Sequence, residues 1–360
     1  MSDISADFPE PRNTQPADFE KITLLVTSEF QIEESIIEQD MATYYLKWPQ
    51  ETKQAFLRLL RKLEKINMVA FLRKANKRVV LKVVGKPLVK PSNPRTYWIL
   101  FLATIATTFV TGYFLLPPEA GLDPFVSGAI FSASIMTVLG LHEMGHKITA
   151  NKNKVEATSP YFVPGPPPLG TLGAVIVQKS LPPNRDALFD IGSNGPIAGF
   201  VVALIFSAIG IALSIPGELP PGEFLEPLSW IPMIEGMSSL NLIPQIVSPN
   251  NGLYLHPVAY AGWAGMIVTM LNLLPAAMLD GGHVAKSLVP DRYRYILTIV
   301  SVVTLVLVGR EFWIFALIVV FMSSFKHPGP LDDVSGLSRN RKLVTIGLLA
   351  FFILSFPIRR

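Results

Sequence analysis

The chain contains no cysteine. That excludes disulfides and any metal site built on thiolates, so a bound metal would have to use imidazole and carboxylate ligands. Charge is the second scarcity. Only 16% of the 360 residues are Asp, Glu, Lys or Arg, against about 25% in an ordinary soluble domain, while 50% are hydrophobic. The deficit is uneven, because residues 1–95 hold a large share of the charge. Such a distribution describes a membrane protein with a soluble domain in front. The net charge of +4 is modest, and the basic residues mostly flank apolar segments, as membrane topology requires; nucleic acid is not suggested. No cleavable signal peptide is expected, since the first 20 residues are polar and acidic, with Pro9, Pro11 and Pro16.

Residues 1–20 read as a disordered tail without periodicity. Residues 21–95 read as a small cytoplasmic α+β domain with its linker. Ile22–Thr27 and Met41–Trp48 are β-prone, and Glu51–Ile66 sets Phe56, Leu57, Leu60, Leu63 and Ile66 at helical spacing. Met68–Arg73 and Arg78–Val84 form a hairpin-like pair around Ala75 and Asn76. A unit of about 65 residues is marginal by itself, and the linker Gly85–Arg95 carries Pro87, Pro91 and Pro94.

Residues 96–360 alternate apolar spans and short breaks, with the core at 125–290. A bilayer core takes about 20 apolar helical residues. On that measure Tyr97–Leu116, Pro124–Ala150, Ile191–Ile215 and Pro257–Leu279 are spans, followed by the shorter Tyr293–Val308, Phe312–Ser324 and Leu343–Phe356. The fold class expected is mainly α: a polytopic membrane helix bundle of about six or seven spans, with a small β segment near the active site. Lys74, Lys77, Arg78, Lys82, Lys86, Lys90 and Arg95 precede the first span, and Glu119 and Asp123 follow it. The positive-inside rule then puts the N-terminal domain in the cytoplasm. The loop Pro216–His256 lacks Lys and Arg and belongs outside. The second and fourth spans both end toward the cytoplasm, so their polar ends meet at one depth. The expected location is a prokaryotic or archaeal cell membrane.

The second span ends in His142-Glu143-Met144-Gly145-His146, an HExxH. Helical residues four apart share a face, so both imidazoles can bind one ion while Glu143 reaches its open position. Zinc favours such ligands and keeps one position for water in a catalytic site; a carboxylate in reach can take that water's proton. Ionisable groups in an apolar span are costly and functional by default. For a third ligand the candidates are His256, His283, His327 and the membrane-edge carboxylates. Asp280 follows the fourth span within Asn272-Leu-Leu-Pro-Ala-Ala-Met-Leu-Asp280-Gly281-Gly282. Pro275 breaks the helix and the paired glycines permit unusual backbone, which is tolerated at membrane depth only against protein or a water-filled cavity. Asp-Gly is equally a common turn pair, and His283 stands as the fallback ligand.

HEMGH together with NLLPAAMLDGGH resembles the site-2 protease family of intramembrane zinc metalloproteases. The resemblance implies that Asp280 is the third zinc ligand and that Asn272 hydrogen-bonds the substrate backbone near the scissile bond. Gly170–Lys179 is similar to the glycine-containing β segment that follows the family's HExxH helix. Gly173 and Ala174 are accordingly taken as substrate-binding. Gly195-Pro196-Ile-Ala-Gly199 resembles the family's G-P segment, although many members carry Asn where Gly199 stands. The N-terminal domain and the stretch Lys326–Asp333 look like the branch of the plant ethylene-dependent gravitropism-deficient and yellow-green proteases. No inserted PDZ domain has room here.

The expected activity is hydrolysis, with one zinc ion per chain and Glu143 as proton carrier, of peptide bonds within or near transmembrane helices of membrane-protein substrates. A helical peptide bond must unwind before water can attack, so Gly, Pro or Asn is expected near the cytoplasmic end of a substrate, with residues 171–179 offering a strand edge. Membrane lipid is the other expected partner. A metal transporter and an inactive helix-binding scaffold are the alternatives; a transporter calls for repeated sites along a pathway, whereas one site is legible here.

Overall fold

The structure, a computed structural model, describes residues 19–38, 41–75, 77–87, 93–117, 120–218, 225–240, 242–243, 251–325 and 327–359. The expected N-terminal tail lies outside the described residues, apart from its last two.

The N-terminal domain runs α1 (Phe19–Thr27), β1 (Ile32–Glu38), β2 (Met41–Leu46), α2 (Lys53–Glu64), β3 (Met68–Ala75) and β4 (Arg78–Gly85). Its antiparallel sheet has the order β1-β2-β4-β3. The helix and three of the strands follow the sequence expectation. Residues 22–27, expected as β-prone, are instead helical. Ile22 and Val26 stand one turn apart and are both buried on the sheet, so packing on a shared face overrides an intrinsic β preference. The strand that replaces them, β1, carries Glu33 and Glu34 and sits at the sheet edge, where charge blunts edge-to-edge pairing.

The helices that follow are α3 (Pro94–Tyr113), α4 (Pro124–Lys152), α5 (Arg185–Leu213), α6 (Trp230–Ser239), α7 (Pro257–Leu273), α8 (Asp280–Leu288), α9 (Asp291–Val308), α10 (Trp313–Ser323) and α11 (Arg339–Ser355). A hairpin of β5 (Tyr161–Pro164) and β6 (Thr171–Val175) separates α4 from α5. Two other short strand pairs join 215–218 to 251–254 and 225–227 to 357–359. Cap chemistry sets several starts. Asn93 accepts from the Arg95 amide ahead of α3, Asp123 from those of Phe125 and Val126 ahead of α4, and Asn184 from that of Ala187 ahead of α5. Pro94, Pro124 and Pro257 each occupy a first helical turn, where a missing N–H costs nothing.

Among the described residues three helices, α3, α4 and α5, are long and apolar enough to cross a membrane. Helix α7 is apolar but shorter, with 17 residues. It stops at Leu273 rather than running to Leu279 as expected, because Pro275 cannot continue it. Residues 274–279 form an irregular connection in which Ala277 takes φ +47°, and Asp280 opens α8 instead of closing α7. Helix α5 starts at Arg185, ahead of the expected span, since its first turns are solvated by ion pairs: Asp186 meets Lys53 and Arg341, and Asp190 meets Arg341.

The N-terminal domain is joined to the helices by more than its linker. Residues 331–333 run parallel to β3, with the Leu72 amide donating to the Leu331 carbonyl at 2.9 Å and that of Asp333 to the Leu72 carbonyl at 3.1 Å. On their other side the amides of Leu331 and Asp332 donate to the carbonyls of Pro182 and Pro183. One short segment thus stitches the sheet to the chain entering α5, and Leu331 completes the domain's core.

Candidate metal centre

Helix α4 turns His142, Glu143 and His146 inward, all three buried. The spacing of four puts the two imidazoles on one face, with their Nε2 atoms 3.2 Å apart. Asp280, at the first turn of α8, brings Oδ2 to 3.3 Å from His142 Nε2 and 3.2 Å from His146 Nε2. The broken stretch 274–279 is what allows this: a continuous α7 would carry Asp280 away along its axis.

Three donor atoms separated by 3.2–3.3 Å match the edges of a tetrahedron around a zinc ion. Metal–ligand distances of about 2.0–2.1 Å put tetrahedral ligands roughly 3.3–3.4 Å apart. His142, His146 and Asp280 are also the only such group of potential metal ligands among the described residues. The Nδ1–H of His146 donates to the Ile191 carbonyl at 2.6 Å, leaving the Nε2 lone pair free for a metal. This is the outer contact that fixes tautomer and ring orientation in metal-binding histidines.

Space for both rings comes from α5. A Cβ on Gly195 would overlap the His146 ring, and one on Gly199 would stand 2.6 Å from His142 Nδ1. The Gly-Pro segment noticed in the sequence therefore has a steric reason. An Asn at 199 could not enter without moving His142.

Glu143 lies beside the donors, its Oε1 4.0 Å from His142 Nε2, with the backbone N–H of Ile176 nearby. Asn272, on the last turn of α7, has its amide nitrogen 3.2 Å from His142 Nε2. Gly173 and Ala174 lie on β6, paired with Val163 and Phe162 of β5. Gly173 takes φ +104° and has open space where a Cβ would point. Among the described residues the far edge of β6 in this two-stranded sheet has no partner strand.

The remaining histidines are placed elsewhere. His256 caps α7, its Nδ1 accepting from the Val258 amide. The fallback ligand His283 faces His327, Nδ1 to Nε2 at 2.8 Å, and burial pushes its pKa down to about 4. The Ile191 carbonyl and the Ile176 amide were not legible beforehand. Both are backbone groups, which every residue carries.

Residues 130–308 match the family described as Peptidase family M50. The chain is 30% identical over 241 residues to a probable zinc metalloprotease EGY1, chloroplastic, of Arabidopsis thaliana, covering 58% of this chain and 43% of that protein. It is 30% identical over 230 residues to the protein of the same name from Oryza sativa subsp. japonica, covering 54% and 39%. A probable zinc metallopeptidase EGY3, chloroplastic, of Arabidopsis thaliana is 26% identical over 279 residues, covering 72% and 48%. The chain spans less than half the length of these relatives. Their chloroplast designation lends no support to the prokaryotic or archaeal membrane expected from the sequence. No solved structure matches. With an HExxH helix, the first turn of α8 closing on it through Asp280 and a family match spanning both, residues 130–308 are a domain of peptidase family M50.

Proposed function

We propose that the protein is an intramembrane zinc metalloendopeptidase acting on transmembrane helices of membrane-protein substrates, in the manner of regulated intramembrane proteolysis. The observation that carries this reading is the convergence of His142, His146 and Asp280, from α4 and α8, on one point with Glu143 beside it. Zinc, which the relatives' names include, fits the donor set and its spacing. When bound it would polarise the scissile carbonyl and acidify a water to a pKa of about 7. Glu143 takes the proton of the attacking water as the carbon–oxygen bond forms, then hands it to the leaving amine nitrogen as the carbon–nitrogen bond breaks. The products are a carboxylate and an amine. Asn272 donates its amide to the substrate backbone, and the unpaired edge of β6 at Gly173 and Ala174 receives the unwound segment as an added strand.

Burial of His142, Glu143 and His146 on α4, one of the helices long and apolar enough to cross a membrane, supports the intramembrane part of the proposal. So do the exposed apolar faces of α9–α11, which include Val303, Leu307, Ile314, Leu317, Ile346 and Leu349. With α7 these helices complete a bundle of six or seven spans whose N-terminal domain faces the cytoplasm.

The test is cleavage of a Gly-containing single-span substrate by the purified full-length chain in detergent, beside Glu143→Gln and a chelator. Activity lost in both controls, and restored by added zinc in the chelated wild-type protein alone, is expected. Stoichiometric absence of bound metal in the wild-type chain would overturn the reading.

A further inference from the structure

Between the N-terminal domain and the metal centre lies a cavity of about 1240 Å³. The stretch 175–181, which continues β6 beyond Glu143, forms one side of it; α2 forms another with Leu57, Leu60 and Arg61. Met278 and His283, neighbours of Asp280 in sequence, also line it. The cavity therefore opens from the ligand-bearing segment toward a domain to which the chemistry assigns no task.

Its lining holds seven basic side chains against three acidic ones. Lys86 is paired with Glu156, and Lys286 with Asp291 and Asp333. Arg61, Lys152 and Lys154 are exposed and have no carboxylate in ion-pair reach among the described residues. Apolar surface lies among these cations, with Val175 and Val177 each about half exposed, at 52% and 51%. A chain laid along β6 advances about 3.3 Å per residue and so leads from the metal centre past 175–181 to α2.

We infer that this cavity receives the extramembrane flank of the substrate as an extended, acidic peptide segment, making the N-terminal domain a specificity determinant. The inference rests on the protease reading above. Apolar positions of the flank pack on Leu57, Leu60, Val175 and Val177, while its carboxylates meet Arg61, Lys152 and Lys154. A basic flank is repelled there, and charge complementarity of this kind acts chiefly on partner choice and encounter rate. With the domain on the cytoplasmic side, most bystander helices carry Lys- and Arg-rich flanks and are turned away.

The experiment uses the full-length Glu143→Gln protein in detergent and a labelled soluble peptide rich in Asp, Glu and Val, with a Lys-for-acid counterpart as control. Fluorescence anisotropy should show binding of the acidic peptide only, weakening as salt rises. The combined change Arg61→Glu, Lys152→Glu and Lys154→Glu should lower that affinity by roughly tenfold or more. A photo-cross-linking residue in place of Leu57 should form an adduct with the acidic peptide. In the cleavage arm, the unmodified active site should show a lower KM for an acidic-flank substrate than for a neutral one. The triple variant should lose that advantage while kcat and the neutral substrate stay unchanged. Equal binding of both peptides, or full affinity in the triple variant, would overturn the inference. An adduct to the chain's own residues 1–18 in place of the peptide would overturn it as well, assigning the cavity to that segment. Selective peptide binding without cleavage of any substrate would uphold the cavity and count against the protease reading alone.

Discussion

The N-terminal domain is packed around large side chains: Tyr44, Phe56, Leu59, Leu63, Leu72 and Leu81 are fully buried between its sheet and helices. The helix bundle also buries large side chains, among them Phe131, Phe189 and Trp230, but the contacts of α5 with α4 and α7 are made the other way round. Along α5, Gly195 and Gly199 face the two imidazoles of α4, and Ala203, Ser207 and Gly210 meet Gly265, Gly262 and Ala259 of α7. A domain in water is driven together by apolar area removed from solvent. Helices in lipid lack that drive and associate through close backbone approach at small residues. In this bundle the closeness also leaves room where bulk is needed, for the two imidazole rings of His142 and His146. The same word, core, thus covers two designs with opposite sensitivities to mutation.

That contrast can be broken or sharpened by substitution. The largest effect expected is chemical: Glu143→Gln should lower cleavage by about 10³-fold with zinc content unchanged by elemental analysis. A variant retaining a tenth of wild-type turnover would remove Glu143 as proton carrier. Next, Phe56→Ala opens a void in the large-residue core and should cost about 3–5 kcal/mol, read as lost hydrogen-exchange protection in α1 and α2. Metal content should hold; a parallel loss of zinc would show that the two interiors are one cooperative unit. Gly199→Ala adds a single methyl against His142 and should cost about 1–3 kcal/mol through overpacking, with zinc affinity falling in step. Retention of full zinc affinity would deny that glycine its steric role.

The smallest effect concerns the surface of the N-terminal domain. Burial pushes the Glu29 carboxyl up, but its ion pairs with Lys62 at 2.6 Å and Arg58 at 2.7 Å outweigh that and hold its pKa below the ordinary 4.5. A carboxylate whose pKa is depressed by folding stabilises the fold above its unfolded value, and the benefit is lost as pH falls through the folded value. Glu29→Gln should therefore cost up to about 1 kcal/mol at neutral pH, and the difference from wild type should close below pH 4.5. A gap that persists in acid would mean packing rather than charge.

Local pattern carried some assignments and failed at others for definite reasons. Helix α2 was legible because Phe56, Leu60 and Leu63 repeat at helical spacing on a polar background. Residues 22–27 depart from their local pattern because β-prone side chains adopt a helix once Ile22 and Val26 share a buried face. The Pro275 break was readable, since the ring forbids the helix whatever surrounds it. The direction taken after the break was not, for it depends on α8 packing beside Gly192.

The sequence by itself determined that His142 and His146 share one face, because four residues on one helix bring two side chains together without help from the rest of the chain. It also determined that no thiolate could join them, since there is none. Only the tertiary structure shows that Asp280, 138 residues beyond His142, stands against the two imidazoles while His283 turns to His327. Asp280 and His283 lie on the same short helix, one turn apart. Which of them reaches the imidazoles is set by how α8 seats against α5, a matter of packing between distant segments that no local periodicity records.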